Sequence, residues 1–401
     1  MPTPIVSDKI GICLKKDSPL TEKFNERLAA YRADGTLDRL HAEWMSADED
    51  SKSMPAQDWD APNGTLRVIC STLEPMSYVG GDGEMRGYEP ELMLYIARDL
   101  GYRVEFSNAT FAGVIASVES GKVDVALGCI SITEERREQM DMTESDYDGA
   151  AVAIVRVKDN GSSGSDDFLG SIVKSFRKTF IEESRWRLIV SGLGITVLIS
   201  VCSGALGVLL GYLTVLARRA GNRWIGKLVD GYQAIMGGVP IVVVLMVLYY
   251  VIFGTFDIEG WVVAVIAFTL SFGATAGTTM WTAICGMDAV QEESGLALGY
   301  TNAEVFRKII FPQALQQFLP QLVGQFVSLV KETAVVGYIA VQDLTRASDL
   351  IRARTMDAFF PLISSAIIYF IICRLLALVL GKLTARIRIE NRPRTIEGVE
   401  L

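Results

Sequence analysis

From Leu188 to Ala217 the chain carries no charged side chain. At about 1.5 Å per residue, roughly 20 apolar residues cross the hydrocarbon core of a bilayer, so this run is long enough to span it as a helix. Inside lipid the backbone has no water to bond, which leaves helices and closed barrels as the only spanning structures. Four more apolar stretches follow: Val239–Phe253, Trp261–Ile284, the more polar Leu319–Val341, and Phe360–Leu380. Five spanning helices are therefore expected. The second is short, and the apolar-leaning Leu228–Gly238 before it can lengthen it.

Charge divides the chain and orients these helices. Residues 1–170 hold 31 of the 47 acidic and 17 of the 38 basic residues, so an acidic half precedes a basic, apolar one. An acidic half speaks against nucleic acid as a partner, because phosphate binding needs clustered Lys and Arg. The loop between the first two spans carries Arg218, Arg219, Arg223 and Lys227, and the third-to-fourth loop adds Arg307 and Lys308. The tail adds Lys382, Arg386, Arg388, Arg392 and Arg394, whereas the second-to-third loop holds Asp257 and Glu259. By the excess of positive charge on cytoplasmic loops, the N-terminal half lies outside and the C-terminus inside. Lys174, Arg177, Lys178, Arg185 and Arg187 run against this rule and are read as an interfacial amphipathic helix.

The acidic half alternates strand and helix patterns. Ile10–Leu14 reads as a strand; Leu20, Phe24, Leu28 and Tyr31 recur at helical spacing up to Gly35; a second helix carries Leu37, Leu40 and Trp44. After an Asp-, Ser- and Pro-rich linker (Ala47–Gly64), Leu66–Cys70, Val104–Phe106, Val123–Gly128 and Val152–Val157 read as strands. Helices over Pro90–Leu100 and Phe111–Ser120 separate them, and the alternation predicts a parallel α/β sheet. Asp159–Asp167 is a second hydrophilic linker. The expected division is 1–46, linker 47–64, 65–158, linker and interfacial helix 159–185, membrane domain 186–385 and tail 386–401.

Six scattered cysteines without a C-x-x-C support neither a disulfide framework nor a zinc site. The one histidine, His41, falls on a polar helix and reads as a solvated surface residue. Met1–Val6 has no basic or apolar leader, so no signal peptide is expected, and an outside domain then implies a shortened form of a longer fusion. Gly221-x4-Gly226-Lys227 lacks the Ser or Thr that ends a phosphate loop, because Leu228 stands there.

Between the third and fourth spans stands Glu293-Ser294-Gly295-x3-Gly299-x9-Ile309-x-Phe311-Pro312. This resembles the E-A-A-x3-G-x9-I-x-L-P loop of ABC importer permeases, with Glu293, Gly299, Ile309 and Pro312 at the matching positions. The physical demand is a helix that stops at a glycine, turns sharply and presents a rigid face to a partner. Flanking stretches, Leu329-Val330-Lys331-Glu332-Thr333 and Gly337 to Thr345 among them, resemble permeases for polar amino acids of the glutamine and histidine class. The resemblance implies a separate ABC ATPase subunit that binds and hydrolyses ATP, no cofactor on this chain, and a second permease subunit in a homodimer or heterodimer. It departs from the family at Gly237, Thr278 and Trp281, where polar contacts to substrate are usual. Lys331 and Glu332 fall in or at the end of a span, where charge is costly and pairs or lines a pathway.

Residues 65–158 resemble the first lobe of family-3 amino-acid-binding proteins through Gly87-Tyr88-Glu89-Pro90-Glu91-Leu92, Ser120-Gly121-Lys122-Val123-Asp124 and Ser131-Ile132-Thr133-x-x-Arg136. The resemblance assigns Arg136 to the ligand α-carboxylate, which a guanidinium fork meets with two parallel bonds. Ser131 would add a hydroxyl, Cys129 a backbone contact and Phe111 an aromatic wall, while Leu73 and Met76 replace usual aromatics. Met1–Met45 resembles the last segment of the same fold, and nothing resembles the second lobe. The expected whole is multidomain: one α/β periplasmic-binding-protein-like lobe built from both pieces, then an all-α transmembrane permease domain of five helices. As a multi-pass protein of the cell membrane it meets lipid directly. A ligand-gated channel is the rival reading, but a channel has no use for an ATPase-docking loop. No nucleophile–base set or paired carboxylates support an enzyme.

Overall fold

The structure, a computed structural model of the 401-residue chain, describes residues 6–46, 52–151, 168–256, 258–355, 357 and 359–387. The expected strand Val152–Val157, the linker Asp159–Asp167, Asp257, the start of the first linker and the tail from Arg388 lie outside these residues. Two compact units emerge. One comprises Met1–Ile195, Leu245–Val263 and Val335–Ser365; the other comprises Thr196–Val244, Ala264–Ala334 and Ala366–Leu401.

In the first unit the N-terminal strands are β1 (Val6–Ile10) and β2 (Cys13–Leu14), broken at Gly11-Ile12 where one strand was expected. Helices α1 (Thr21–Ala33) and α2 (Thr36–Trp44) follow, separated by Gly35 at φ +81°. Next come β3 (Thr65–Cys70), the hairpin β4 (Tyr78–Val79) and β5 (Met85–Arg86), and α3 (Tyr88–Asp99). Then β6 (Arg103–Asn108), α4 (Phe111–Glu119), β7 (Val125–Leu127), α5 (Glu134–Gln139), β8 (Asp141–Met142) and β9 (Tyr147–Ala151) complete the lobe.

The main sheet has the order β6-β3-β7-β2-β8. Its first three strands are parallel, but β2 runs antiparallel to both neighbours, a correction to the all-parallel expectation. The reason is topological: β2 comes from the N-terminal piece and has no crossover helix joining it to β7, which only parallel neighbours require. Because β2 sits between β7 and β8 and β1 pairs with β9, both sequence pieces build one lobe.

Apolar burial fastens the N-terminal piece. Phe24, Leu28, Leu40 and Trp44 are fully buried, and each such side chain contributes about 1.5–3 kcal/mol. Trp44 Nε1 donates to Glu91 Oε2 at 2.6 Å, and Tyr31 Oη donates to Asp99 Oδ2 at 2.6 Å, both onto α3. His41 is not the solvated residue expected. It stacks on Tyr147 with ring centroids 5.2 Å apart and meets Tyr88 edge-on, because α2 turns that face toward the β9 end of the lobe.

The helical part starts with α6 (Phe168–Phe176) and a π-helical turn, Arg177–Ile181, before α7 (Trp186–Arg219). It continues through α8 (Arg223–Gly238), α9 (Ile241–Met246), α10 (Gly260–Cys285), α11 (Ala289–Ala297), α12 (Asn302–Val305), α13 (Phe311–Glu332), α14 (Leu344–Thr355) and α15 (Phe359–Ile387). Among the described residues, four helices are long and apolar enough to cross a membrane: Trp186–Arg219, Gly260–Cys285, Asn302–Ile339 and Phe359–Arg386. The expected second span is a pair, Arg223–Gly238 and Ile241–Ile252, bent by 107°. Its break is at Val239-Pro240, where proline forces the preceding residue out of helical geometry.

Glycines let α7 and α10 approach closely in the second unit. A Cβ at Gly207 would lie 2.7 Å from Phe272, and one at Gly211 would lie 2.8 Å from the Gly277 nitrogen. Gly207-x3-Gly211 thus faces Gly273-x3-Gly277, the small-residue packing that membrane helices use where no hydrophobic force drives them together. Gly221, at φ +74°, turns the chain between α7 and α8, so the phosphate-loop likeness is a helix-ending turn.

Candidate functional site

The parallel strands β3, β6 and β7 end at one edge of the sheet, the side on which α/β folds bind ligands. The loops that leave this edge start at Ser71, Ala109 and Gly128. Gly128 has φ +139°, and a Cβ there would run into the Ser71 side chain. Only glycine lets these two loops close on one another. Thr110 caps α4 by accepting from Gly113 N, which fixes Phe111 as the first helical residue and leaves its ring 44% exposed. Thr133 caps α5 in the same way by accepting from Arg136 N.

Three of the four expected ligand residues converge at this edge. The Arg136 guanidinium lies 5.6 Å from the centre of the Phe111 ring, and its Nη1 donates to the Ser131 carbonyl at 2.7 Å. Among the described residues Arg136 makes no ion pair with Glu135 or Glu138. Leu73, on the loop after β3, is also exposed and apolar. Two of the expected groups already have partners. Ser131 Oγ already donates to Asp8 Oδ2 at 2.8 Å, and the Cys129 N–H is taken by Glu89 Oε1 at 2.8 Å. Cys129 itself is held at φ +56°.

Sequence reading missed three groups here. Glu89 and Asp146 are buried carboxyls, and burial raises both, Glu89 to about 7. Arg346, at the start of α14, bonds the ends of β3 and β6 through Thr72, Asn108 and Ala109. Its signal was legible: Arg346, Arg352 and Arg354 stand in a loop that the positive-inside rule places outside, where basic residues are unexpected. The same unit seats the lobe elsewhere. Lys122 Nζ donates to the carbonyls of Phe256 (2.5 Å) and Phe253 (3.3 Å), and Arg354 pairs with Glu74 and with Glu183.

In the second unit, the residues of the expected coupling loop form two short helices around a glycine turn. Asp288 caps α11 by accepting from Val290 N, and α11 ends where Gly299 adopts φ +84°. Thr301 and Glu304 form a reciprocal capping box that starts α12, a π-helical turn spans Phe306–Ile310, and Pro312 lies in the first turn of α13. Gly295 is buried, and a Cβ there would come within 2.8 Å of Val305 and 2.9 Å of Ile309. The small residue at 295 therefore lets α11 pack on the turn holding Ile309. Glu293 is exposed, as are the apolar Val290, Leu296 and Leu298, the last at 77%. Lys331 and Glu332 end α13 exposed, and neither forms an ion pair among the described residues.

The profile of the bacterial extracellular solute-binding proteins, family 3, matches residues 66–321. The match begins in β3 and runs past the lobe into the helical part. About half of the chain is similar to curated transport permeases. The L-cystine transport system permease protein TcyB of Bacillus subtilis is 32% identical over 202 residues, covering 50% of this chain and 86% of that protein. The arginine transport system permease protein ArtQ of the same organism is 30% identical over 201 residues, covering 49% and 91%. A crystal structure of an amino acid ABC transporter with histidines is 30% identical with a TM-score of 0.48, covering 55% of this chain and 98% of that one. The chain belongs to family 3 of the bacterial extracellular solute-binding proteins and, through its other half, to the amino-acid ABC transporter permeases, the two joined in one polypeptide.

Proposed function

We propose that this chain is the membrane-spanning permease subunit of an ABC importer for polar amino acids, with its own ligand-binding lobe outside the cell. Residues 1–46 and 65–158 form the lobe and residues 186–385 the permease domain. The observation that carries the reading is the paired-helix loop Glu293–Pro312. A rigid turn at Gly299 leaves Leu296 and Leu298 exposed, an apolar surface that has meaning only when a partner covers it. The partner is a separate ABC ATPase, which supplies the energy; this chain hydrolyses nothing and holds no cofactor of its own. A second permease subunit completes the pathway, and Lys331 and Glu332, exposed and unpaired among the described residues, face it or the pathway. The loop charges orient the chain with the lobe outside and the C-terminus inside.

At the lobe, Arg136 receives the substrate α-carboxylate while Phe111 and Leu73 wall its side chain. Relatives named for cystine and arginine bound the substrate class at polar amino acids. The test is cross-linking: a cysteine at Leu298, in a chain stripped of its own six, is paired with cysteines on a co-expressed importer ATPase. A nucleotide-sensitive cross-link supports the reading. Its absence across all positions of the ATPase surface, with both proteins in the membrane, contradicts it.

A further inference from the structure

The five apolar stretches of the chain hold three charged side chains: Lys331, Glu332 and Arg374. Arg374 stands one residue past the midpoint of α15 (Phe359–Ile387), about 12 Å along the axis from Lys382, the nearest other charge on that helix. It is exposed, and so are Phe370, Ile371 and Leu378, which lie three or four residues away on the same face. Of an 18-residue apolar window in α15 only 6% is buried within the chain, against 56% in α10. Among the described residues Arg374 has no ion pair, hydrogen bond or ring contact. Left to lipid, this stripe would hold a guanidinium at its centre. A charge at such depth is costly there, and intramembrane arginines face protein or a water-filled cavity instead.

Glu332 has the opposite need. It ends α13, where the helix dipole favours a cation and disfavours a carboxylate. Lys331, in the same last turn, has the favoured sign, and adjacent residues on a helix do not face one another. Lys331 is the one charge that acts on Glu332 among the described residues, no ion pair joins the two, and Arg374 does not act on Glu332 within the chain. Yet the end of α13 and the middle of α15 stand at one depth, because the Lys331 charge acts on the thiol of Cys373, the residue before Arg374. A two-fold axis along the membrane normal keeps that depth and makes every contact occur twice. Two copies related by such an axis can bring each Arg374 to the other's Glu332, which meets both charges at once.

We propose that the exposed stripe of α15 packs against a second copy of this chain, and that Arg374 pairs there with Glu332 of the partner subunit. The proposal rests on the reading of the chain as a permease that needs a second subunit, and it names that subunit and the surface it covers. A different permease would need a carboxylate at the depth of Arg374 and a cation at that of Glu332, and this chain already carries both. The guanidinium fork meets a carboxylate with two parallel bonds, which fixes the register of the two subunits as well as their attraction.

The experiment measures energy transfer between donor- and acceptor-labelled copies of the full chain in liposomes, at falling ratios of protein to lipid. Arg374→Glu and Glu332→Arg are measured each alone and then mixed. Each reversal alone sets like charges against each other in both pairs, and should weaken the dimer by on the order of ten- to a hundredfold, the range of a charge-assisted hydrogen bond. Mixed, the two variants should associate with each other at close to wild-type strength, because every pair across that interface is again of opposite sign. Rescue by mixing also shows that both variants are folded. If mixing restores nothing, the proposal fails; restoration by both reversals in one chain would then place the pair inside the chain. If the single reversals leave the dimer at wild-type strength, Arg374 faces lipid or the pathway and the proposal fails. A wild type that shows no transfer at any ratio, while the cysteine at Leu298 still cross-links to the ATPase, overturns the proposal and leaves the permease reading standing. Loss of that cross-link as well removes the reading and the proposal together.

Discussion

Replacing Gly299 by valine probes the coupling loop through its backbone alone. The glycine sits at φ +84°, and a Cβ there would meet nothing within 4 Å, so steric collision plays no part. The cost is conformational: a left-handed geometry disfavours an L-residue by about 1–2 kcal/mol, with β-branched side chains at the upper end. About 2 kcal/mol changes the population of the native turn by up to about 30-fold. That turn is closed by Gly299 N to Leu296 O at 2.9 Å and Tyr300 N to Gly295 O at 3.2 Å, and it sets the angle between α11 and α12. Gly299→Val should therefore insert normally into the membrane but lower amino-acid uptake per ATP hydrolysed in proteoliposomes holding the ATPase. Gly299→Asn should be nearly neutral, because asparagine tolerates the left-handed region. Wild-type coupling in the valine variant would refute the reasoning. Equal damage from asparagine would show that an added side chain, not the backbone, is what matters.

Other expectations follow from single features. A cysteine replacing Glu259 in a cysteine-free chain should react with an impermeant reagent in intact cells, and one replacing Lys382 should not; the reverse pattern would invert the topology. Burial holds Glu89 up at about 7 against an ordinary value of 4.5, so the folded lobe favours the protonated form. Lobe stability should then fall as pH rises between those values, by at most about 1.4 kcal/mol per unit for this group, and level off above. Asp146, raised by burial and by Glu89, acts in the same direction. Thermal melts of Glu89→Gln should show a flatter profile, and an unchanged slope would remove Glu89 from the account. Gly211→Leu should separate α7 from α10, since its Cβ would lie 2.8 Å from the Gly277 nitrogen; full expression and thermal stability would contradict that packing.

The pattern of apolar runs carried the helical class, and the glycine spacing carried the turn at Gly299, because both are local properties of the chain. The long helices fall where hydropathy places them, and Gly299 and Thr301 act as turn and cap where their residue types predict. What sequence did not yield is set by contacts between distant segments. The direction of β2 depends on its insertion between β7 and β8, which no periodicity within Cys13–Leu14 records. His41 reads as surface on its own helix and becomes a stacking partner only when β9 brings Tyr147 to it. At the edge where the parallel strands end, a motif singled out Arg136 and Phe111, which the structure brings to 5.6 Å from guanidinium to ring centre. That Ser131 and Cys129 are engaged by Asp8 and Glu89 depends on side chains 123 and 40 positions away in sequence. Arg346 reaches Thr72 across 274 positions, and only its charge, in a loop that the positive-inside rule would place outside, offered a signal for it.

The central claim is that this chain conducts amino acids when an ATPase drives it. The direct measurement is uptake of radiolabelled L-cystine, L-glutamate, L-glutamine and L-arginine into proteoliposomes containing the purified chain and an amino-acid-importer ATPase, with the lobe facing outward. ATP inside should drive accumulation of at least one of them, none should accumulate with a non-hydrolysable analogue, and Arg136→Gln should reduce it. Passive flux indifferent to ATP, or ATP hydrolysis with no uptake of any amino acid while the complex is intact, would contradict the account.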